Sequence, residues 1–184
     1  RGNIRPSDIV LGLPSSGLHS NGFSLVRHVL AKKGIEFANI SPFMDGATWG
    51  EALLKPTRIY VSSCLSLHDA GLAKAFAHIT GGGLTENIPR ILPDGMGVHL
   101  DAASWPLPEI FGWLIKSGEV PREEMVRTFN CGIGMVAVVA AEDAEPACRI
   151  LSDAGENVLV IGEVMVTEGD ERVLISSLVN AWQP

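Results

Sequence analysis

Residues 133–140 (IGMVAVVA) restrict the fold more than any other stretch, being almost continuously apolar and rich in valine. A strand that is apolar on both faces has to be covered on both, so its sheet needs a layer of structure on each side. The rest of the chain offers such layers. Residues 9–13 form a short β-prone run that ends in the turn formers Pro14, Ser15, Ser16 and Gly17. Ser24, Leu25, Val26, Val29 and Leu30 then follow helical spacing, with Ser20 or Asn21 placed to cap the helix and Gly34 placed to end it. Residues 41–51 are rich in turn formers and read as a surface excursion.

Further on, residues 65–76 carry a helical pattern and residues 77–79 a brief strand, after which Thr80-Gly81-Gly82-Gly83 breaks the chain direction. A short helix is expected over residues 85–88, a half-buried strand over 97–100, and helices over 108–117 and 122–128. A helix over 142–154, stopped by Gly155, and strands over 158–166 and 172–178 complete the series. Strands and helices alternate without a repeat or a low-complexity linker, and 184 residues suit one domain with a real core. An α/β layered domain is the expected class.

With 46% apolar and 19% charged residues the chain can bury enough surface to fold. The net charge of −7 and the scattered Lys and Arg argue against a nucleic-acid surface, but leave room for a small anionic ligand held by local N–H groups. Cys64, Cys131 and Cys148 are far apart and odd in number, which indicates neither a disulfide framework nor a zinc site and suits a reducing compartment. No apolar run approaches the roughly 20 residues of a membrane span, so a cytoplasmic protein is expected. Arg1 is not an initiator methionine, and the chain reads as a piece of something longer.

Two glycine loops carry the chemistry. In SSGLHSNGFSLVR (residues 15–27), the glycines let backbone approach a ligand while the following helix presents unpaired N–H groups at its positive end. His19, Ser20 and Asn21 add donors there; equally, these residues could make a tight turn and a cap. The spacing matches neither a Walker A loop nor a dinucleotide fingerprint. In HITGGG (residues 78–83), three successive glycines after a strand point to close backbone contact with a ligand. His78 could serve there as acid, base or phosphate donor, or be a satisfied structural histidine. Asn130 stands at the mouth of the central strand, where ligand groups gather in open α/β sheets. Cys131 reads as a buried thiol, and Trp105 and Trp113 as packing residues.

Four segments taken together, GLPSSGLHSNGFSLVR, PTRIY, HITGGGLTENIPRILP and RTFNCGIGM, resemble in content and order the C-terminal domain of the aminoimidazole ribonucleotide synthetases (phosphoribosylformylglycinamidine cyclo-ligases). The resemblance runs from Gly12 to Met135, with VIGEV extending it near Ile161. It implies a layered mixed sheet flanked by helices, and a reaction in which ATP, with magnesium, phosphorylates the formyl oxygen of formylglycinamidine ribonucleotide before an amidine nitrogen closes the ring. It implies too that residues 1–184 form the C-terminal domain of a homodimeric enzyme whose N-terminal domain, holding nucleotide and metal, lies outside this sequence. By position in the motifs, Ser16, Gly17, His19, Ser20, Asn21 and Gly22 correspond to the first phosphate-facing loop. His78 with Thr80, Gly81, Gly82 and Gly83 corresponds to the second. His78 is the first choice for proton transfer or oxygen stabilisation and His19 the second, and no metal ligand is assigned. The alternatives are a domain of the amidotransferase that makes the substrate, or a ribonucleotide-phosphate binding module without chemistry.

Overall fold

The computed structural model describes residues 3–183. The strands are β1 (Ile9–Pro14), β2 (Ala73–His78), β3 (Met96–Asp101), β4 (Ile133–Val139), β5 (Leu159–Val166) and β6 (Val173–Ser176). The helices are α1 (Phe23–Lys32), α2 (Trp49–Leu53), α3 (Val61–Asp69), α4 (Gly83–Asn87), α5 (Glu109–Gly118), α6 (Arg122–Thr128), α7 (Ala144–Asp153) and α8 (Leu178–Ala181). The strands form one mixed sheet in the order β2-β4-β1-β5-β3-β6. All pairings are antiparallel except that of β3 with β6.

As the apolar run requires, β4 lies inside the sheet and is covered on both faces. Val136 and Val138 enter a large core with Val26 and Leu30 of α1, Phe111 and Leu114 of α5, and Met125 of α6. Ala137 and Val139, pointing the other way, pack with Leu67 of α3 and Ala147 and Leu151 of α7. Each face of one strand thus belongs to a different helical layer, the arrangement that makes an uninterrupted apolar sequence stable as a strand.

Three boundaries differ from those expected. The helical pattern over 65–76 divides: α3 begins at Val61 and ends at Asp69, and Ala73 to Phe76 belong to β2. Pairing with Val139, Val138 and Ala137 of β4 overrides the helical preference of Ala73, Lys74 and Ala75. The helix α1 is capped by Gly22, in the left-handed region at φ 73°, and not by Ser20 or Asn21. Only four residues of the 172–178 segment are strand, and Ser177 starts α8. The excursion over 41–51 is tethered at its end, where Trp49 is buried with its ring edge-on to Phe43 and Trp113.

The topology decides where a site can be. Both β1 and β2 run antiparallel to β4, so their C-terminal ends lie at the edge of the sheet where β4 begins. Residues 15–22, residues 79–83 and the segment Phe129-Asn130-Cys131-Gly132 are brought together there.

Candidate functional site

Asn130 organises this edge. Its side chain is fully buried, and its Oδ1 accepts from Ser15 Oγ and from the Gly132 N–H, both at 2.9 Å. Its Nδ2 donates to the Gly17 carbonyl at 2.9 Å, and the Ser15 N–H donates to the Gly132 carbonyl at 2.8 Å. The amide expected at the mouth of the strand is therefore there, but committed to holding the first loop. Gly22 closes that loop at a position where a Cβ would stand 2.0 Å from the Phe129 ring, so no side chain fits. Helix α1 starts without a side-chain cap and without an acidic residue in its first turn. Such an end leaves N–H groups and the positive pole of the helix available to an anion. Ser20 is exposed and Asn21 half-buried beside it.

The second loop is built in the same manner by a residue whose importance the sequence alone did not signal. Asn87, buried in α4, donates through Nδ2 to the carbonyls of Thr80, Gly81 and Gly83 at 3.3, 3.1 and 2.7 Å. Its Oδ1 accepts from Thr80 Oγ1 at 3.1 Å. Only its place seven residues after Thr80, within a helix-forming stretch, was visible beforehand. Gly83 has φ 55°, and a Cβ there would stand 2.1 Å from the Val126 carbonyl oxygen. The loops touch: a Cβ placed on Gly81 would have Asn21 Oδ1 as its neighbour, at 3.8 Å.

The two histidines differ sharply. His19 is buried, adopts φ 56°, and accepts through Nε2 from the Ser16 N–H at 3.1 Å and, more weakly, from the Arg58 N–H at 3.5 Å. Histidine is among the non-glycine residues that tolerate this left-handed conformation. Burial, aided by the charge of nearby His78, lowers its pKa to about 4, so the ring is neutral near pH 7. His78, at the end of β2 opposite Met135, is exposed. The Tyr60 ring stands near both, with centroids 6.4 Å from His19 and 6.3 Å from His78, and its hydroxyl donates to the Pro14 carbonyl at 2.7 Å. Burial raises the pKa of Tyr60 and of Cys131, which keeps phenol and thiol protonated and fits the packing role expected for Cys131.

A cleft of about 450 Å³ opens on the first loop, lined by Ser15, Ser16 and Gly17 together with Phe43, Lys55 and Ile110. Lys55 was not singled out by sequence; its position directly before PTRIY was the available hint. The cleft combines loop donors, the Lys55 cation, the Glu109 carboxylate and apolar walls, the mix of a few polar groups among apolar ones that small-molecule sites use. Among the described residues no group of three or more His, Cys, Asp or Glu could hold a metal ion. None of the described helices is long and apolar enough to cross a membrane.

Fold and site together define a layered α/β domain with two glycine loops gathered on one sheet edge. The chain belongs to the family described as AIR synthase related protein, C-terminal domain, which matches residues 5–175. It is 52% identical over 170 residues to a phosphoribosylformylglycinamidine cyclo-ligase of Chromobacterium violaceum, covering 92% of this chain and 49% of the relative. It is 50% identical over 184 residues to the human trifunctional purine biosynthetic protein adenosine-3, covering 98% of this chain and 18% of that protein. The chain thus spans about half the length of the bacterial relative and under a fifth of the human one. A crystal structure of thiamine-monophosphate kinase from Stenotrophomonas maltophilia K279a superposes with a TM-score of 0.60 at 17% identity, covering 94% of this chain and 51% of that one, and shows the same fold.

Proposed function

We propose that this chain is the ribonucleotide-holding half of a phosphoribosylformylglycinamidine cyclo-ligase, which closes the imidazole ring of aminoimidazole ribonucleotide at the expense of ATP. The observation that carries this reading is the meeting of both glycine loops, His78 and the uncapped start of α1 at one edge of the sheet. The high identity to a relative bearing that name supports the choice of substrate.

In this reading Ser16, Gly17, Ser20, Asn21 and Gly22 face the phosphate of the ribonucleotide with the first turn of α1, and Lys55 supplies a counter-charge. Thr80, Gly81 and Gly82 face the reacting end, and Gly83, buried against the Val126 carbonyl, lets the loop turn there. His78, exposed at the mouth of the second loop, is the group free to move a proton or to stabilise the formyl oxygen. ATP activates that oxygen by phosphorylation. It and magnesium are held mainly by an N-terminal domain, in a cytoplasmic homodimer. The exposed apolar side chains Phe37, Ile40, Leu54, Ile59, Val61 and Leu65 support a second domain packing against this one.

The test is turnover of a cyclo-ligase that includes this segment. His78→Ala is expected to lower kcat by roughly 10²–10⁴-fold, the range for loss of a positioned acid or base, with substrate binding retained. Unchanged turnover would remove His78 from the mechanism.

A further inference from the structure

The first loop is held from two sides, residue by residue. Asn130 binds Ser15 and Gly17 from within the core. The outer grip comes from residues 56–60. Ser16 Oγ donates to the Pro56 carbonyl at 2.6 Å, Tyr60 Oη donates to the Pro14 carbonyl at 2.7 Å, and the Arg58 N–H reaches His19 Nε2 at 3.5 Å. This outer segment is fastened in turn at a distant point. Arg58 Nη2 lies 2.8 Å from Glu156 Oε2 and donates to the Gly155 carbonyl at 3.2 Å. Glu156 is buried, and Ser63 Oγ at the start of α3 donates to its Oε1 at 2.7 Å.

We infer that residues 56–60 are a strap that positions the first glycine loop, with His19 as its clasp in a fixed neutral tautomer and Glu156 as its anchor. The inference rests on the ribonucleotide reading only for the purpose of the strap. The tautomer follows from hydrogen-bond counting: Nε2 accepts from two N–H donors, so it carries the lone pair, and the ring proton sits on Nδ1. Nδ1 is buried and has no partner among the described residues. A ring whose basic nitrogen is already engaged by Ser16 and Arg58 is not free to take a proton from substrate. His19 is therefore a positioning residue, and proton transfer falls to His78. Arg58 likewise serves by holding its own backbone in place, because its guanidinium is engaged by Glu156 and Gly155 above the Tyr60 ring, 6.0 Å from the centroid. Glu156 lies 98 residues beyond Arg58 in sequence, so the first loop is tied to the segment between α7 and β5.

The inference can be tested on this chain without ligand. Long-range proton–nitrogen correlation at pH 7 should show His19 protonated on Nδ1 and bare on Nε2. Amide exchange at Ser16 should quicken by roughly tenfold, the equivalent of one lost hydrogen bond, in His19→Ala. His19→Gln, whose Oε1 can replace Nε2 as acceptor, should stay near the parent rate. Glu156→Gln, which keeps the Ser63 contact and loses the charge, should quicken exchange at Arg58 and Ser16 while global stability changes less. A charged or Nε2-protonated His19, or equal exchange in the parent and Glu156→Gln, would overturn the strap. Should His19→Ala not fold, the tautomer and Glu156→Gln still decide. Titration with inorganic phosphate separates the two readings: the expected tautomer and exchange pattern with no phosphate-induced shifts at Ser16 and Gly17 would support the strap and count against the ribonucleotide site.

Discussion

Gly83 and Gly22 are glycines for reasons internal to the protein, since a Cβ would stand 2.1 Å from a backbone oxygen at the first and 2.0 Å from an aromatic ring at the second. Gly83→Ala is expected to lower unfolding free energy by about 3 kcal/mol or more, combining overpacking with a strained left-handed φ, and chemical denaturation measures it. Gly81→Ala, whose Cβ would have its neighbour at 3.8 Å, should leave stability within about 1 kcal/mol. Sequence alone assigned all three loop glycines to ligand approach. It could not separate a glycine approached by the protein's own backbone from one facing open space, because helix α6 comes from more than 40 residues away. His19 adds a pH dependence. Its pKa of about 4 in the fold lies below the ordinary 6.5, so between these values the unfolded chain binds the extra proton. The stabilisation is complete above pH 6.5 and is lost as pH falls toward 4, by roughly 3 kcal/mol in all. In His19→Gln, unfolding measured between pH 7 and pH 4 should lose most of that slope.

The elements most legible in the sequence were those whose burial is uniform along them. The apolar run of β4, Gly34 at φ 65° just past the end of α1, and the helices around Phe111 and Met125 were readable because local pattern and tertiary role agree. Strand β2 was not, because Ala73 to Phe76 has no strand signature of its own and becomes strand only by pairing with β4. The same distinction separates the visible from the hidden parts of the site. Histidines and glycine loops declared themselves by composition, whereas Asn87, Lys55 and Glu156 gain their roles from residues the fold brings to them. Asn130→Ala should cost about 2–4 kcal/mol, since it strands the Ser15 hydroxyl, the Gly132 N–H and the Gly17 carbonyl in a buried setting. The loss should appear in thermal unfolding, with amide exchange at residues 15–17 rising before that of the sheet.

At the scale of the whole molecule, one sheet edge carries three separated sequence motifs because β4 lies between two strands that run opposite to it. An acidic chain can hold an anionic ligand there, since loop N–H groups, the α1 terminus and Lys55 act over a few ångströms while the net charge of −7 is spread over the surface and screened. The measurement that reaches the central claim most directly is calorimetric titration of this chain with formylglycinamidine ribonucleotide, repeated with inorganic phosphate competing and with a Gly81→Val variant. Saturable binding, weakened by phosphate and lost in the variant, is the expected result. Binding that ignores both phosphate and the variant, or a chain that folds as described and binds nothing, would contradict a ribonucleotide site formed by these loops.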